Sequence, residues 1–259
     1  MTEHVLIEKA GGVLTLTLNR PEKKNALTRV MYAALGGAID GAADDPDVRC
    51  VLIQANGDIF TAGNDISDFA AANSGAGAVG RAEANPLLAA LGRATIPLVA
   101  AVHGRAVGIG VTMLLHCDLV YVADDALLTT PFVNLALVPE AASSLLLPAR
   151  IGHARAFAMF VLGEAVDGAT AAAWGLANAA VPARDLRARA RAAAEAIASR
   201  PPRAVAITKA LMREAADVLA ARMAEEGGHF AAQIKSPEAA EAFAAFAQKR
   251  APDFFKAGA

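Results

Sequence analysis

Residues 97–140 read PLVAAVHGRAVGIGVTMLLHCDLVYVADDALLTTPFVNLALVPE. Leu98 to Val102 is a short apolar run with branched residues, the pattern of a buried strand. His103-Gly104 breaks it, and Gly108 and Gly110 open an apolar segment that ends near His116. Leu119 to Ala123 is a second buried-strand candidate. Glycines at a strand-to-helix junction let a ligand approach the backbone, and the first helical N–H groups there lack partners. Those donors, with the positive end of the helix dipole, suit an oxygen that becomes negative during a reaction. Glu140 follows in an apolar passage with no cation within eight residues on either side, which makes it a candidate base. A carboxylate ahead of Ala141 could equally serve only to cap the next helix.

The rest of the chain narrows the function class. Its 259 residues are enough for a sizeable core, and a net charge of −2 gives no reason to expect nucleic acid or an anionic membrane as partner. Arg184, Arg187, Arg189 and Arg191 stand among alanines and read as the solvated face of a helix. Cys50 and Cys117 lie far apart without metal-ligand spacing, so buried thiols in a reducing compartment are expected. MTEHVLIEKAGG lacks the features of a signal or transit peptide, and the closing AGA is not a peroxisomal address. The most apolar stretch, 97–115, is interrupted by His103 and Arg105 and does not read as a membrane span. The expected location is cytoplasmic.

In chain order, Val5 to Glu8 and Val13 to Leu18 form a hairpin around Gly11-Gly12. Thr28 is placed to cap a helix running to about Ala43, closed by Asp44-Asp45-Pro46. Cys50 to Gln54 is another buried strand, followed by a small-residue turn in FTAGNDI. Residues 70–85 are rich in Ala, Gly and Ser, the composition of a mobile or variable segment, and a helix follows from Pro86 to about Ala94. Beyond Glu140, helices are expected at 141–150, 153–162, 169–175, 184–199, 201–221, 223–234 and 237–249. No internal repeat is visible, and a boundary is expected near Ser199-Arg200-Pro201-Pro202.

LNRPEKKNALT, FTAGNDI, PLVAAVHGRAVGIG, CDLVYV and GEAVDGATAAAWGLANAAVP occur in an order that resembles the crotonase superfamily of acyl-CoA enzymes. FAQKRAPDF resembles that family's C-terminal helix. The resemblance implies an α/β fold, a crotonase-like spiral of ββα repeats over residues 1–199. It implies a C-terminal helical trimerisation region over 200–259, and an assembly of trimers or hexamers. It implies an acyl-CoA thioester as substrate, with CoA part of the substrate, and no separate cofactor or metal. The thioester enolate would be held by the backbone N–H groups of Asn64 and Ile109. The CoA-contact loop falls on Lys24, Asn25, Ala26 and Leu27. Ala62, Gly63, Asp65, Ile66 and Gly108 flank the two oxyanion donors, and Phe246 and Lys249 match residues that reach a neighbouring subunit's CoA.

Departures from the hydratase pattern narrow the reaction. Hydratases of this family carry two carboxylates; the matching positions here are Thr112 and Phe132. Glu140 stands where many hydratases have glycine. AVGIGVT, the TPF of Thr130–Phe132 and PEAAS resemble the peroxisomal-type Δ3,Δ2-enoyl-CoA isomerases, whose single glutamate occupies that slot. The resemblance therefore implies isomerisation of an unsaturated acyl-CoA with Glu140 as the one acid/base. Alternatives are an isomerase of ring-derived CoA thioesters, a weak hydratase, or an inactive acyl-CoA-binding member of the fold. Ser143-Ser144 with His103 and Asp118 lacks the G-x-S-x-G elbow of a hydrolase, and GRAVGIG lacks the surroundings of a dinucleotide site.

Overall fold

The computed structural model describes residues 3–64 and 85–257. The expected variable segment 70–85 lies almost wholly outside the described residues, as do Asp65 and Ile66. Strands β1 (Val5–Ala10), β2 (Val13–Leu18), β3 (Cys50–Ala55), β4 (Leu98–Val102), β6 (Leu119–Ala123) and β9 (Ala179–Val181) form one sheet in the order β1-β2-β3-β4-β6-β9. Only the β1–β2 hairpin is antiparallel; each later neighbour pairs in parallel. A parallel strand needs a crossover between neighbours and is covered on both faces. Accordingly β2 is buried along its whole length even though its sequence alternates. Its threonines bond laterally: Thr17 Oγ1 accepts Gln54 Nε2 at 3.1 Å, and Thr15 Oγ1 accepts Arg191 Nη1 at 3.3 Å.

A second, smaller layer lies at an offset from the first. β5 (Arg105–Val107) pairs in parallel with β7 (Leu127–Thr129), which pairs antiparallel with β8 (Val166–Asp167). Isolated parallel bridges Thr61–Ala106 and Leu27–Asn64 extend this layer backwards. Each turn of the chain thus leaves a long strand of the main sheet, makes a brief pairing in the second layer, and crosses back. That is the ββα spiral the family resemblance implies.

Helix α1 (Arg29–Asp44) starts where Thr28 accepts the Met31 N–H at 3.3 Å, as expected, and buries Met31, Tyr32, Leu35 and Ile39. It packs on α2 (Pro86–Arg93), whose first N–H groups, on Leu87 and Leu88, are taken by Asn85. A short helix α3 (Ile109–Thr112) continues as a 3₁₀ turn, Met113–His116. Next come α4 (Ser143–Ile151), α5 (His153–Phe157) with a π turn at Ala158–Leu162, α6 (Gly168–Ala173) and α7 (Ala183–Ala198). The remainder is α8 (Pro202–Met212), α9 (Ala216–Gln233), α10 (Pro237–Ala247) and α11 (Phe254–Ala257).

Three expectations need correction. The break inside the expected 201–221 and 223–234 helices falls instead at 213–215. Arg213 is extended there, and its guanidinium is drawn to the carbonyls of Ala94 (2.7 Å) and Leu91. The arginines of α7 are exposed, apart from the partly buried Arg191, but do more than face solvent. Arg187 bonds the Ala55 carbonyl at 2.5 Å, Arg191 bonds Ala10 O at 2.9 Å, and Arg189 lies 4.9 Å from the Tyr121 ring centroid. They latch α7 across the sheet that its Leu186, Ala190 and Ala194 cover. Finally, the helix after Glu140 begins two residues later than its apolar pattern suggests, because Ala141 and Ala142 are left-handed (φ 62° and 56°).

Lys209 of α8 is buried and reaches Asp118 Oδ2 and Ile96 O, both at 2.7 Å, which fastens the later helices to the start of β6. The Cys50 and Cys117 thiols are free and buried, and burial pushes both up to about 12. They are inert as nucleophiles. Large apolar side chains remain uncovered on the later helices: Leu211 is 82%, Met212 83% and Phe255 98% exposed, with Ile207 and Phe246 also in the open. Among the described residues no helix is long and apolar enough to cross a membrane.

Candidate active site

Two loop ends meet where the second layer begins. Thr61 and Ala106 bridge in parallel, with Thr61 N–H donating to Arg105 O and Val107 N–H to Thr61 O, both at 3.1 Å. Two chain segments running side by side in one direction end side by side, so Gly63-Asn64 and Gly108-Ile109 become neighbours. Gly63 has φ +87°, and a Cβ there would stand 2.8 Å from the Val107 carbonyl oxygen. Only glycine allows that approach. Gly108, at φ +55°, turns the chain from β5 into α3. Ile109 is therefore the first residue of a helix, where the N–H has no intrahelical partner. Neither the Asn64 nor the Ile109 N–H donates a hydrogen bond among the described residues. A pair of adjacent unspent N–H groups is what an oxyanion needs.

Thr112, at the end of the same short helix, is fully buried and donates its hydroxyl to Glu140 Oε1 at 2.5 Å. One helical turn, about 5 Å of rise, separates it from Ile109. The position that the resemblance matches to a hydratase carboxylate is thus a hydroxyl that bonds the carboxylate further on. Phe132, which the resemblance matches to the other hydratase carboxylate, is buried, with its ring centroid 6.0 Å from that of Phe160. It adds apolar surface and no second acid.

Glu140 is 7% exposed, and burial raises its carboxyl from 4.5 to about 8. The Thr112 hydrogen bond opposes that shift, and the charge of Glu226 adds to it. Of the opposing influences readable in the sequence, desolvation prevails over any help from a helix terminus. The geometry explains why. Glu140 does not cap α4: the N–H groups of Ala142 and Ser144 instead donate to Glu226 of α9, at 2.6 and 2.9 Å. The capping alternative is excluded on that ground.

The backbone after Glu140 is held from several sides. His116 bonds the Ala141 carbonyl through Nε2 at 2.8 Å, while its Nδ1 lies 3.3 Å from Arg213 Nη2. The guanidinium can only donate, so Nδ1 accepts and Nε2 carries the hydrogen. Burial lowers the His116 imidazole to about 4, which keeps it neutral. On the other side, the Tyr32 hydroxyl donates to Asn64 Oδ1. Burial and the charge of Glu140 raise that phenol well above its ordinary value. The Asn64 side chain therefore fixes Tyr32 while its backbone N–H has no acceptor among the described residues, a role no sequence signal announced.

The other expected site residues lie in two places. Lys24, Asn25, Ala26 and Leu27 lie against the Ala62–Asn64 loop: Ala62 N–H bonds Lys24 O at 2.9 Å, and Leu27 N–H bonds Gly63 O at 2.8 Å. Asn25 is wholly buried and fully engaged. It accepts Arg20 N–H at 2.8 Å and donates to Asn56 O and Ile59 O at 2.7 and 3.0 Å. Its part is to shape the loop. Lys24 is exposed and paired with Asp58 at 2.6 Å, a weak surface pair that an incoming phosphate could replace. Phe246 and Lys249 lie on the exposed end of α10 and the turn after it. Sequence reasoning missed Glu226, His116 and Tyr32. Each sits in an apolar helical pattern, and only the folded chain brings it beside Glu140 or Asn64.

Comparison with known proteins places this geometry among relatives. Residues 8–257 match the family described as enoyl-CoA hydratase/isomerase. The chain is 35% identical over 213 residues to the Rattus norvegicus protein named enoyl-CoA delta isomerase 2, covering 81% of this chain and 54% of that one. It thus spans about half the length of that relative. It is 33% identical over 256 residues to a Rhodobacter capsulatus protein named probable enoyl-CoA hydratase, covering 98% and 99% of the two chains. A solved structure of an enoyl-CoA hydratase/isomerase from Pseudoalteromonas atlantica T6c aligns with a TM-score of 0.91 at 42% identity, over 97% of this chain and 100% of that one.

Proposed function

The chain belongs to the enoyl-CoA hydratase/isomerase family, and within it we propose that it is a Δ3,Δ2-enoyl-CoA isomerase with Glu140 as its acid/base. The observation that carries this reading is the placing of carboxylates among the described residues. Glu140 is held by Thr112, and the two positions that bear carboxylates in hydratases are Thr112 itself and the buried Phe132. The Asn64 and Ile109 N–H groups would take the thioester oxygen and stabilise the enolate. Glu140 would remove a proton from C2 and return it to C4, both carbons of one allylic system on one face. Adding water needs a second polar group to hold it, and Phe132 supplies none. The test is to offer purified protein a 3-enoyl-CoA and a 2-enoyl-CoA separately. Conversion of the first should outpace hydration of the second by at least about tenfold; the reverse order would make it a hydratase.

The base must be ionised to act, and its carboxyl titrates near 8. Below that pH it is protonated and idle. The kcat/KM for 3-enoyl-CoA is therefore expected to climb through neutral pH and level off above about pH 8, reporting the free enzyme's base. A profile already flat from pH 6 would contradict a base raised that far by burial.

Assembly belongs to the same reading. Leu211, Met212, Ile207 and Phe255 offer more apolar surface than a helical appendage in water should carry. We propose that these faces pack copies of the chain into a trimer or hexamer. Light scattering should give three or six times the 26.5 kDa chain mass. A concentration-independent monomer would refute it.

A further inference from the structure

We propose that Glu226 is a positioning residue for the reaction: from α9 its carboxylate clamps the turn that carries Glu140 and holds the base in working geometry. This rests on the reading of Glu140 as the base. The turn is unfavourable by itself. Ala141 and Ala142 are consecutive left-handed residues (φ 62° and 56°), a conformation in which a Cβ crowds the following carbonyl. Such a conformation persists only where its surroundings over-determine it. The local sequence supplies little help, since Ala142 stands at the N-cap of α4 without a side chain that could cap it.

Glu226 provides the missing acceptor from 84 residues away, taking Ala142 N–H at 2.6 Å and Ser144 N–H at 2.9 Å. It is itself buried, at 5% exposure, so the bonds are shielded from water. His116 fixes the adjoining Ala141 carbonyl at 2.8 Å, and Ser143 N–H closes the turn onto Glu140 O at 3.1 Å. A carboxylate can accept both N–H groups; an amide has one oxygen, and its NH₂ would face the second donor. Glutamine at 226 is therefore close in shape and wrong in chemistry.

Glu226 also acts on Glu140 by charge. The titratable and charged groups that bear on Glu140 or its turn are Tyr32 from α1, His116 from the 3₁₀ turn, Arg213 through His116, and Glu226, which Arg222 faces on its own helix. Burial pushes the Tyr32 phenol up and the His116 imidazole down, so among the described residues Glu226, itself raised by burial, is the neighbouring carboxyl whose charge raises Glu140. Removing it makes ionisation of Glu140 easier.

The experiment is the pH profile and plateau kcat of Glu226→Gln on a 3-enoyl-CoA, beside wild type and Glu140→Gln. The expected result is a plateau kcat lower by about tenfold or more, as a misplaced reacting group costs. KM should stay within about threefold, and the kcat/KM midpoint should move down. An unmoved midpoint or an unchanged plateau overturns the proposal. If Glu226→Gln alone fails to fold, the change is read in an Ala142→Gly background against that single variant, because glycine takes the left-handed turn freely. An active Glu140→Gln would instead sink the functional reading; a dead Glu140→Gln beside a wild-type-like Glu226→Gln sinks only the clamp.

Discussion

Glu140→Gln is expected to fold, bind acyl-CoA and lose isomerase turnover by more than about 100-fold, the loss typical of removing a general base. Glutamine keeps the size of the side chain and can still accept from Thr112, so the Thr112–Glu140 geometry (2.5 Å) has a substitute. What it cannot do is take the C2 proton. The same substitution should change stability with pH. The folded carboxyl titrates near 8 against 4.5 for the free group. Between those values the unfolded chain releases a proton that the native state retains, so stability falls as pH rises through that window. The glutamine variant escapes this penalty. Its melting temperature should exceed wild type above about pH 8 and approach it below about pH 4.5, by about 2–4 °C per kcal/mol relieved in a chain of this size. Loss of activity with increased alkaline stability would mark a site tuned for chemistry; activity within about threefold of wild type would leave the isomerase assignment without a mechanism.

The second large effect concerns the proposed oxyanion donors. Ile109→Pro removes one N–H at the first position of a helix, where proline's fixed φ is tolerated and no intrahelical bond is lost. The expected cost is about two to three orders of magnitude in kcat, the worth of one oxyanion donor. Asn64→Ala is the contrasting case: its N–H remains, and only the acceptor for the Tyr32 hydroxyl is lost. That variant should lose about tenfold or less, in line with about 1 kcal/mol for a hydrogen bond. If Asn64→Ala were as damaging as Ile109→Pro in a folded protein, the side chain at 64 would carry the role assigned here to the main chain.

What could be read from the chain alone follows from length and periodicity. The strands β2, β3, β4 and β6 are five or six residues long, and alternation in β2 and apolar runs in the other three announce them. β5, β7 and β8 are two or three residues long, too short for any period, yet they build the layer that sets Gly63 beside Val107. Their presence came only through the family resemblance. Thr28 was legible as a cap because its hydroxyl serves its own helix. Glu226 was not, because it caps a helix 84 residues away, and in its own sequence it is one of two adjacent glutamates on an alanine-rich helix. The helix break at 213–215 has neither glycine nor proline to signal it; Arg213 is drawn out of the helical path by carbonyls of α2 and the turn after it. Glu140 itself was visible as a lone carboxylate among apolar residues, but its environment was not, since burial and not the helix terminus decides its charge.

The most direct measurement of the central claim is the fate of label in one turnover set. A 3-enoyl-CoA dideuterated at C2 is incubated with the protein in H₂¹⁸O, and the first product is analysed by mass spectrometry. One carboxylate shuttling a proton across the allyl system predicts 2-enoyl-CoA free of ¹⁸O, with deuterium delivered to C4. A 3-hydroxyacyl-CoA carrying ¹⁸O at C3 as the first product would contradict it.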